Sequence, residues 1–237
     1  MQLSFNYGNA SIQFDLTYRK RRTLSIIVEA PDKVRVIAPL GINQEVILDK
    51  VRSKAPWILE KLNNFKEVKY QSLIKKYVDG ESWLFMGRDY LMQLVIDQSV
   101  TKPAVKLDQG KLIVITPAKE EGIIKQAIAE WYKNKATQKI HERIDYFQPI
   151  IGRKPAKITI KEQQKRWGSC SSKGNLNFNW KAIMAPSPVI DYLVVHELCH
   201  LVHHNHSKDF WNLVASILPD YQERRTWLKE NGITLTL

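Results

Sequence analysis

Cysteine is scarce in this sequence, whose 237 residues include only Cys170 and Cys199. Two thiols are too few for the disulfide framework of a small secreted domain, and they suit a reducing compartment. Long apolar runs are lacking as well, since none approaches the roughly 18 residues that a transmembrane helix needs. The first 14 residues contain no basic segment followed by an apolar core, as a signal peptide would. We therefore expect a cytoplasmic protein with no membrane partner.

Acidic residues are outnumbered, because 36 lysines and arginines face 24 aspartates and glutamates and give a formal net charge of +12. Apart from the short run 19–22, the basic residues are spread along the chain. Spread-out positive charge steers polyanions and acidic partners towards a protein without defining a binding site. The sequence contains no helix-turn-helix or zinc-finger pattern. Any association with nucleic acid would thus be non-specific, directed at the backbone and strongly salt-dependent.

Histidine is concentrated in one stretch, since five of the six histidines lie within residues 191–211. The sixth, His141, lies in a charged helical pattern and is predicted to be structural. The stretch contains the sequence His196-Glu197-Leu198-Cys199-His200. On a helix, residues four apart share a face, so His196 and His200 can reach one ion while Glu197 stands beside it. This is the zincin signature, and it predicts a Zn²⁺ site with Glu197 as the general base.

A catalytic zinc needs a third protein ligand, and His203, His204 and His206 are the nearby candidates. On a continuing helix, His203 would lie about 10.5 Å along the axis from His196, which is poor geometry for a tetrahedral site. His206 avoids this problem if the chain turns after His203 or His204. Asn205 readily adopts the left-handed conformation that ends helices, and the residue after His206 can cap a new helix. We therefore predict that His196, His200 and His206 bind the metal.

The sequence around this helix resembles the YgjP-like family of metallopeptidases, which is related to the SprT-like and WLM zinc proteases. The similarity is densest from residue 166 to residue 211. It is carried by RWGSCSS at 166–172, GNLNFNW at 174–180, NHS at 205–207 and FW at 210–211, together with the histidine motif. The resemblance implies a zincin-like domain in which a small sheet is backed by helices. It also implies that strands within 167–180 receive an extended peptide by β-addition.

The remaining patterns predict an α+β fold with a β-rich N-terminal domain before the catalytic domain. Residues 23–28 and 33–38 read as a hairpin with a turn at Pro31-Asp32, and residues 108–110 read as a second hairpin turn. Helical patterns begin at Asn43, with Pro56 as a break, and extend over residues 120–147. Ser187 is the predicted N-cap of the histidine-bearing helix, with Pro188 as its first residue. We place the boundary between 1–118, which contains one helical segment, and 119–237.

The predicted activity is zinc-dependent hydrolysis of peptide bonds in a protein or peptide substrate. Zinc activates a water molecule and polarises the carbonyl, and Glu197 accepts the proton and returns it to the leaving amine. Arg166, His203, His204 and Tyr221 are all candidates for stabilising the oxyanion. Two alternatives stay open: a basic, nucleic-acid-associated metalloprotein acting at DNA–protein assemblies, and a metal-dependent hydrolase of a small amide. The sequence does not define the natural substrate or the oligomeric state.

Overall fold

The computed structural model describes residues 1–29, 32–67, 75–163 and 166–237, excluding the side chains of 64–67. Pro31, in the predicted turn at Pro31-Asp32, lies outside these ranges. The predicted α+β class is confirmed, because the described residues form three small sheets and six α-helices. None of these helices combines the length and the apolar character needed to cross a membrane. The chain divides into two compact units, Met1–Ile74 and Lys75–Leu237.

The first unit contains one four-stranded sheet and two helices. Its elements are β1 (Gln2–Tyr7), β2 (Ala10–Arg19), β3 (Ser25–Glu29), β4 (Lys33–Pro39), α1 (Gln44–Arg52) and α2 (Ala55–Glu67). The strand order is β1-β2-β4-β3, with β2 and β4 parallel at the centre and an antiparallel hairpin on each side. The predicted cap is confirmed, because the Asn43 side chain accepts a hydrogen bond from the Glu45 amide. Pro56 lies in the first turn of α2, where a missing amide hydrogen costs nothing.

The second unit begins with a sheet of the same topology. Its strands are β5 (Ser82–Phe85), β6 (Arg88–Ile96), β7 (Ala104–Asp108) and β8 (Lys111–Thr116). Their order is β5-β6-β8-β7, again with a central parallel pair between two hairpins. The predicted turn at 108–110 is confirmed, since Gln109 and Gly110 have φ of +45° and +75°. Two successive positive φ values match the twist of a tight hairpin.

The long helix α3 (Glu121–Ile151) covers this sheet and explains why the division lies at 74/75 and not at the expected 118/119. Its Ile128 and Tyr132 are fully buried in the same core cluster as Trp83 and Leu112 of the sheet. The Tyr132 hydroxyl also donates a hydrogen bond to the backbone of β5. Sheet and helix therefore form one unit, although the sequence pattern changes from strand to helix between them.

The remaining elements surround the histidine motif. They are β9 (Lys157–Lys161), β10 (Gly168–Cys170), β11 (Asn175–Asn179), a 3₁₀ helix (Trp180–Met184), α4 (Ser187–Cys199), α5 (Lys208–Ile217), α6 (Tyr221–Asn231) and a second 3₁₀ helix (Gly232–Thr234). The sheet order is β10-β11-β9, so the short β10 forms an edge. Leu176 and Phe178 of β11 are completely buried, as the alternating pattern predicts.

The N-terminus of α4 corrects one prediction, because the cap is Pro186 and not Ser187. The carbonyl of Pro186 accepts hydrogen bonds from the amides of Val189 and Ile190, at 2.9 and 3.1 Å. As an N-cap, Ser187 would accept hydrogen bonds from these same two amides. Because both amides already donate to Pro186, the Ser187 hydroxyl has no amide left to cap. Ser187 and Pro188 are instead the first two residues of the helix.

An ion pair fixes α4 against α3. The Arg143 guanidinium donates to both carboxylate oxygens of Asp191, at 2.5 and 3.2 Å. Both side chains are only 19% exposed, so water weakens this pair less than a surface pair. The two parallel hydrogen bonds also restrict orientation, which holds the histidine-bearing helix in one position on α3.

Candidate metal centre

The histidine motif occupies the last turn of α4 and is anchored by apolar residues around it. Val194, Val195, Leu198 and Cys199 are all completely buried. The helix ends at Cys199, several residues earlier than expected. The amides of Leu201 and Val202 donate to carbonyls three residues back, which is the tighter bonding that closes the end of a helix. A left-handed residue is then unnecessary, and the expectation of that conformation at Asn205, a described residue, was wrong.

The early turn brings His196, His200 and His206 together. One ring nitrogen from each lies within 4.8 Å of the others, and the Nε2 atoms of His196 and His206 are 3.1 Å apart. With Zn–N bonds of about 2.0–2.1 Å, two nitrogens in a tetrahedral site lie roughly 3.3 Å apart. The spacing is therefore close to what a shared ion requires. His203 and His204 lie outside this group of three.

A hydrogen bond sets which nitrogen of His200 is available. Its Nδ1 lies 3.0 Å from the backbone oxygen of His203. Because a carbonyl oxygen can only accept, Nδ1 carries the hydrogen and Nε2 presents its lone pair. Burial lowers the pKa of His200, and burial with the nearby His200 and His206 lowers the pKa of His196 to about 3. Both rings are thus neutral near pH 7, as a metal ligand must be.

Aromatic residues of α5 support the rings from behind. His200 stacks on Phe210, with centroids 4.5 Å apart, and His206 stacks on Trp211 at 5.5 Å. The helix begins at the predicted cap, because the Ser207 side chain accepts a hydrogen bond from the Phe210 amide. This cap fixes the start of α5 and so places both aromatic residues beside the histidines.

Glu197 is buried next to the histidines, with 5% of its surface exposed. Its Oε2 atom has no hydrogen-bond partner among the described residues. Burial raises the pKa of Glu197 to about 8, although the positive charge of Arg166 acts in the opposite direction. A carboxyl group in this state is neutral at pH 7, and a nearby cation would favour its charged form.

Gly168 of β10 makes this burial possible. A Cβ atom at this position would lie 2.7 Å from both Cγ and Cδ of Glu197. Such a distance is far below normal carbon–carbon contact, so any side chain at 168 would displace the carboxylate or the strand. The backbone of the edge strand therefore packs directly against Glu197.

Two cavities of about 290 Å³ each meet at Glu197 and Gly168. The histidine cavity contains the three clustered rings together with β10, Arg166 and His204. The basic cavity lies on the other side and is lined mainly by Trp167, Tyr192, Leu228, Arg225 and Lys229. His196 borders both cavities.

Of the four candidates for oxyanion stabilisation, Arg166 and His204 line the histidine cavity. Tyr221 stacks instead on Trp211, at 5.3 Å. The exposed His141 lies on α3, where its Nδ1 is 2.8 Å from the Thr137 carbonyl. His141 is not part of the group of three histidines, in agreement with its predicted structural role.

The sequence reasoning missed Tyr192 and Arg225 as residues that border the site. Tyr192 lies four residues before His196 on the same helix, so helical spacing could have revealed it. Arg225 lies on α6, and no local pattern connects it with the histidine motif.

Comparison with known proteins decides the family. A family model described as "YgjP-like, metallopeptidase domain" matches residues 22–231. The chain belongs to this YgjP-like metallopeptidase family. The resemblance noted in the sequence is thus confirmed, and the family implies a metal ion and a peptide substrate.

A solved structure, the metallopeptidase zymogen of Pyrococcus abyssi abylysin, is similar to part of this YgjP-like protein. The two share 22% sequence identity with a TM-score of 0.35, and the match covers 38% of this chain and 93% of that one. Comparison with curated proteins finds no match.

The metal ion that the family implies fits the residues present. Three ring nitrogens lie close together, two of the rings are neutral near pH 7, and the buried Oε2 atom of Glu197 has no hydrogen-bond partner in the described part of the chain. A divalent cation could be bound by the three rings, because imidazole is a common metal ligand, and its positive charge would stabilise the Glu197 carboxylate.

The first prediction for this YgjP-like protein concerns Gly168. Gly168→Ala should destabilise the protein by about 1–3 kcal/mol, because the added methyl group overlaps Glu197. Urea denaturation followed by tryptophan fluorescence measures the loss. Gly122→Ala is the matched control, since a Cβ at position 122 meets nothing within 4 Å. The double variant Gly168→Ala/Glu197→Ala should lose less stability than the two single variants added together, whereas additive losses would contradict the assigned overlap.

The second prediction concerns pH in chelator-treated protein. Between about pH 4.5 and pH 8, folded Glu197 keeps a proton that the unfolded chain has lost, so stability should fall as pH rises. The fall amounts to at most about 1.4 kcal/mol for each unit of pKa shift. Glu197→Gln removes this titration. The free energy of unfolding of the variant minus that of the wild type should therefore increase from pH 5 to pH 8.

Denaturation of both proteins at several pH values checks this difference. The contribution of histidine titration to stability cancels in the comparison, because both proteins contain the same histidines. Glu142→Gln, which removes a largely exposed carboxylate from α3, is the control. A constant difference between wild type and Glu197→Gln would show that burial does not perturb this carboxyl group.

Proposed function

We propose that this protein is a zinc-dependent peptidase in which His196, His200 and His206 hold the metal and Glu197 is the general base. The observation that supports it best is that three ring nitrogens lie within 4.8 Å of one another beside a buried carboxylate, one oxygen of which has no hydrogen-bond partner among the residues described. Three imidazole ligands with a remaining open position are typical of catalytic zinc. A purely structural zinc would have a fourth protein ligand.

When bound, zinc supplies the Lewis acidity that polarises the scissile carbonyl and makes water a stronger nucleophile near neutral pH. Glu197 accepts the proton of the attacking water and passes it to the leaving amine. Its carboxylate is held for this role by Gly168, whose lack of a side chain keeps the backbone of β10 close. Arg166 and His204 line the same cavity and are the candidates for stabilising the oxyanion.

The edge strand β10 is the proposed docking site for the peptide backbone. Gly168–Cys170 pairs with β11 on one side and forms the end of its sheet. Its residues line the histidine cavity together with the three clustered rings. An extended substrate that hydrogen-bonds to this edge would run past Glu197. Hydrolysis of a smaller amide, association with nucleic acid and a cytoplasmic location stay predictions of the sequence alone.

The third prediction tests the ligand set by metal analysis. Purified protein should contain close to one zinc per chain, and His196→Ala, His200→Ala and His206→Ala should each lower this value, because each removes one ligand nitrogen. His204→Ala is the matched control, since His204 lines the cavity outside the group of three. Normal zinc content in His206→Ala together with loss of zinc in His204→Ala would assign the third ligand to His204.

The fourth prediction tests the role of Glu197. Glu197→Gln preserves shape and polarity but cannot accept a proton, so peptide hydrolysis should fall by about 10²–10⁴-fold while zinc content is retained. Peptide cleavage and metal content are measured on the same preparation. Loss of zinc in this variant would make Glu197 a ligand or a structural support of the site, and full activity would exclude it as the base.

A further inference from the structure

We propose that the basic cavity binds a substrate carboxylate, so that the enzyme prefers peptides with a carboxylate on a residue next to the scissile bond. The carboxylate can come from an aspartate or glutamate side chain or from the C-terminus of the substrate. This inference rests on the proposed function, because it assigns the second cavity at Glu197 to the substrate of the same site.

Two cations on α6 reach the same cavity. Arg225 and Lys229 lie four residues apart on α6, and both line the cavity that His196 and Glu197 also line. The Arg225 guanidinium carbon lies 4.8 Å from the centre of the Trp211 ring. An arginine stacked on an aromatic ring keeps its N–H groups directed outward in the guanidinium plane. The stack on Trp211, which itself packs on His206, therefore holds these donors close to the metal centre.

Neither cation has an acidic partner among the residues that the structure describes. Within the described part of the chain, no carboxylate lies within 4.0 Å of Arg225 or Lys229, whereas the adjacent Arg224 pairs with Asp220 and donates to the Pro188 carbonyl. Glu197 is the one acidic residue among the described residues that line the cavity. Among the described residues, Arg225 therefore presents a positive charge without an acidic partner next to the proposed catalytic centre.

The rest of the cavity also suits a carboxylate. Tyr192 also lines the cavity, and its hydroxyl can donate a hydrogen bond. Trp167, Leu193 and Leu228 provide apolar walls for the methylene groups of a side chain. A guanidinium, an ammonium and a hydroxyl offer several donors, and a carboxylate accepts at two oxygens. A volume of about 290 Å³ accommodates a single side chain or chain end.

The experiment measures cleavage of matched peptides. A random peptide mixture analysed by mass spectrometry first locates a scissile bond. The residue on each side of this bond is then changed between glutamate and glutamine, in separate peptides. A further pair ends one residue after the bond, either as the free acid or as the amide. The first pairs test a side-chain carboxylate, and the last pair tests a terminal carboxylate.

We expect kcat/KM to be about 10- to 100-fold higher for one carboxylate peptide than for its amide, as a charge-assisted hydrogen bond would produce. Arg225→Gln and Lys229→Gln should each reduce this ratio, and Arg225→Glu should favour lysine at the same position. Lys125→Gln is the matched control, because it removes one exposed charge from α3 outside the basic cavity. It should keep the wild-type ratio.

Binding separates this inference from the proposed function. Glu197→Gln protein is titrated with fluorophore-labelled peptide pairs that need no known scissile bond, namely glutamate against glutamine at one position and free acid against amide at the C-terminus, and affinity is read from polarisation. Two results would overturn the inference and leave the proposed function standing. One is cleavage without any preference for a carboxylate, and the other is a preference that Arg225→Gln leaves unchanged. A preference in binding without cleavage by the wild type would support the cavity and overturn the proposed function. Neither cleavage nor selective binding would overturn both.

Discussion

A carboxylic acid buried beside three imidazoles is the costly interaction on which the rest of this site depends. Removing a charged carboxylate from water is unfavourable unless a partner compensates it, and Glu197 has an oxygen without a partner among the described residues. In the absence of a cation the group responds by holding its proton, as its raised pKa indicates. The proposed metal reverses this preference. Under the proposed function, Glu197 is protonated and neutral without the metal and charged with it, and only the charged form can act as the base.

Rigid packing around α4 keeps these groups together. The Arg143–Asp191 pair locks the helix to α3, and completely buried residues surround the motif. Phe210 and Trp211 hold two imidazole rings by stacking. Preorganisation of this kind matters because ligand rings free to rotate would lose conformational entropy on binding an ion. In this protein the rings lose that conformational entropy during folding, before any ion binds.

The sequence predicted the features that depend on short-range chemistry. Asn43 and Ser207 cap helices where their spacing indicated, and the histidine motif brings His196 and His200 to one face. The predictions that failed depend on neighbouring hydrogen bonds or on distant packing. The Pro186 carbonyl uses the donors that Ser187 would need, and early helix termination removes the need for a left-handed Asn205. Arg225 reaches the site from another helix, which no local pattern reveals.

The recurring sheet topology has a consequence for the order of assembly. In each four-stranded sheet the parallel central strands are connected through an intervening strand of the same sheet, and all four strands come from fewer than 40 consecutive residues, 2–39 or 82–116. Such short separations make loop closure inexpensive and favour rapid folding. The first sheet can therefore form while a ribosome is still synthesising the second unit, and the second sheet can form once α3, which covers it, has followed. The three clustered histidines emerge from the ribosome after both sheets and α3, so the candidate centre is among the later parts of the chain to assemble.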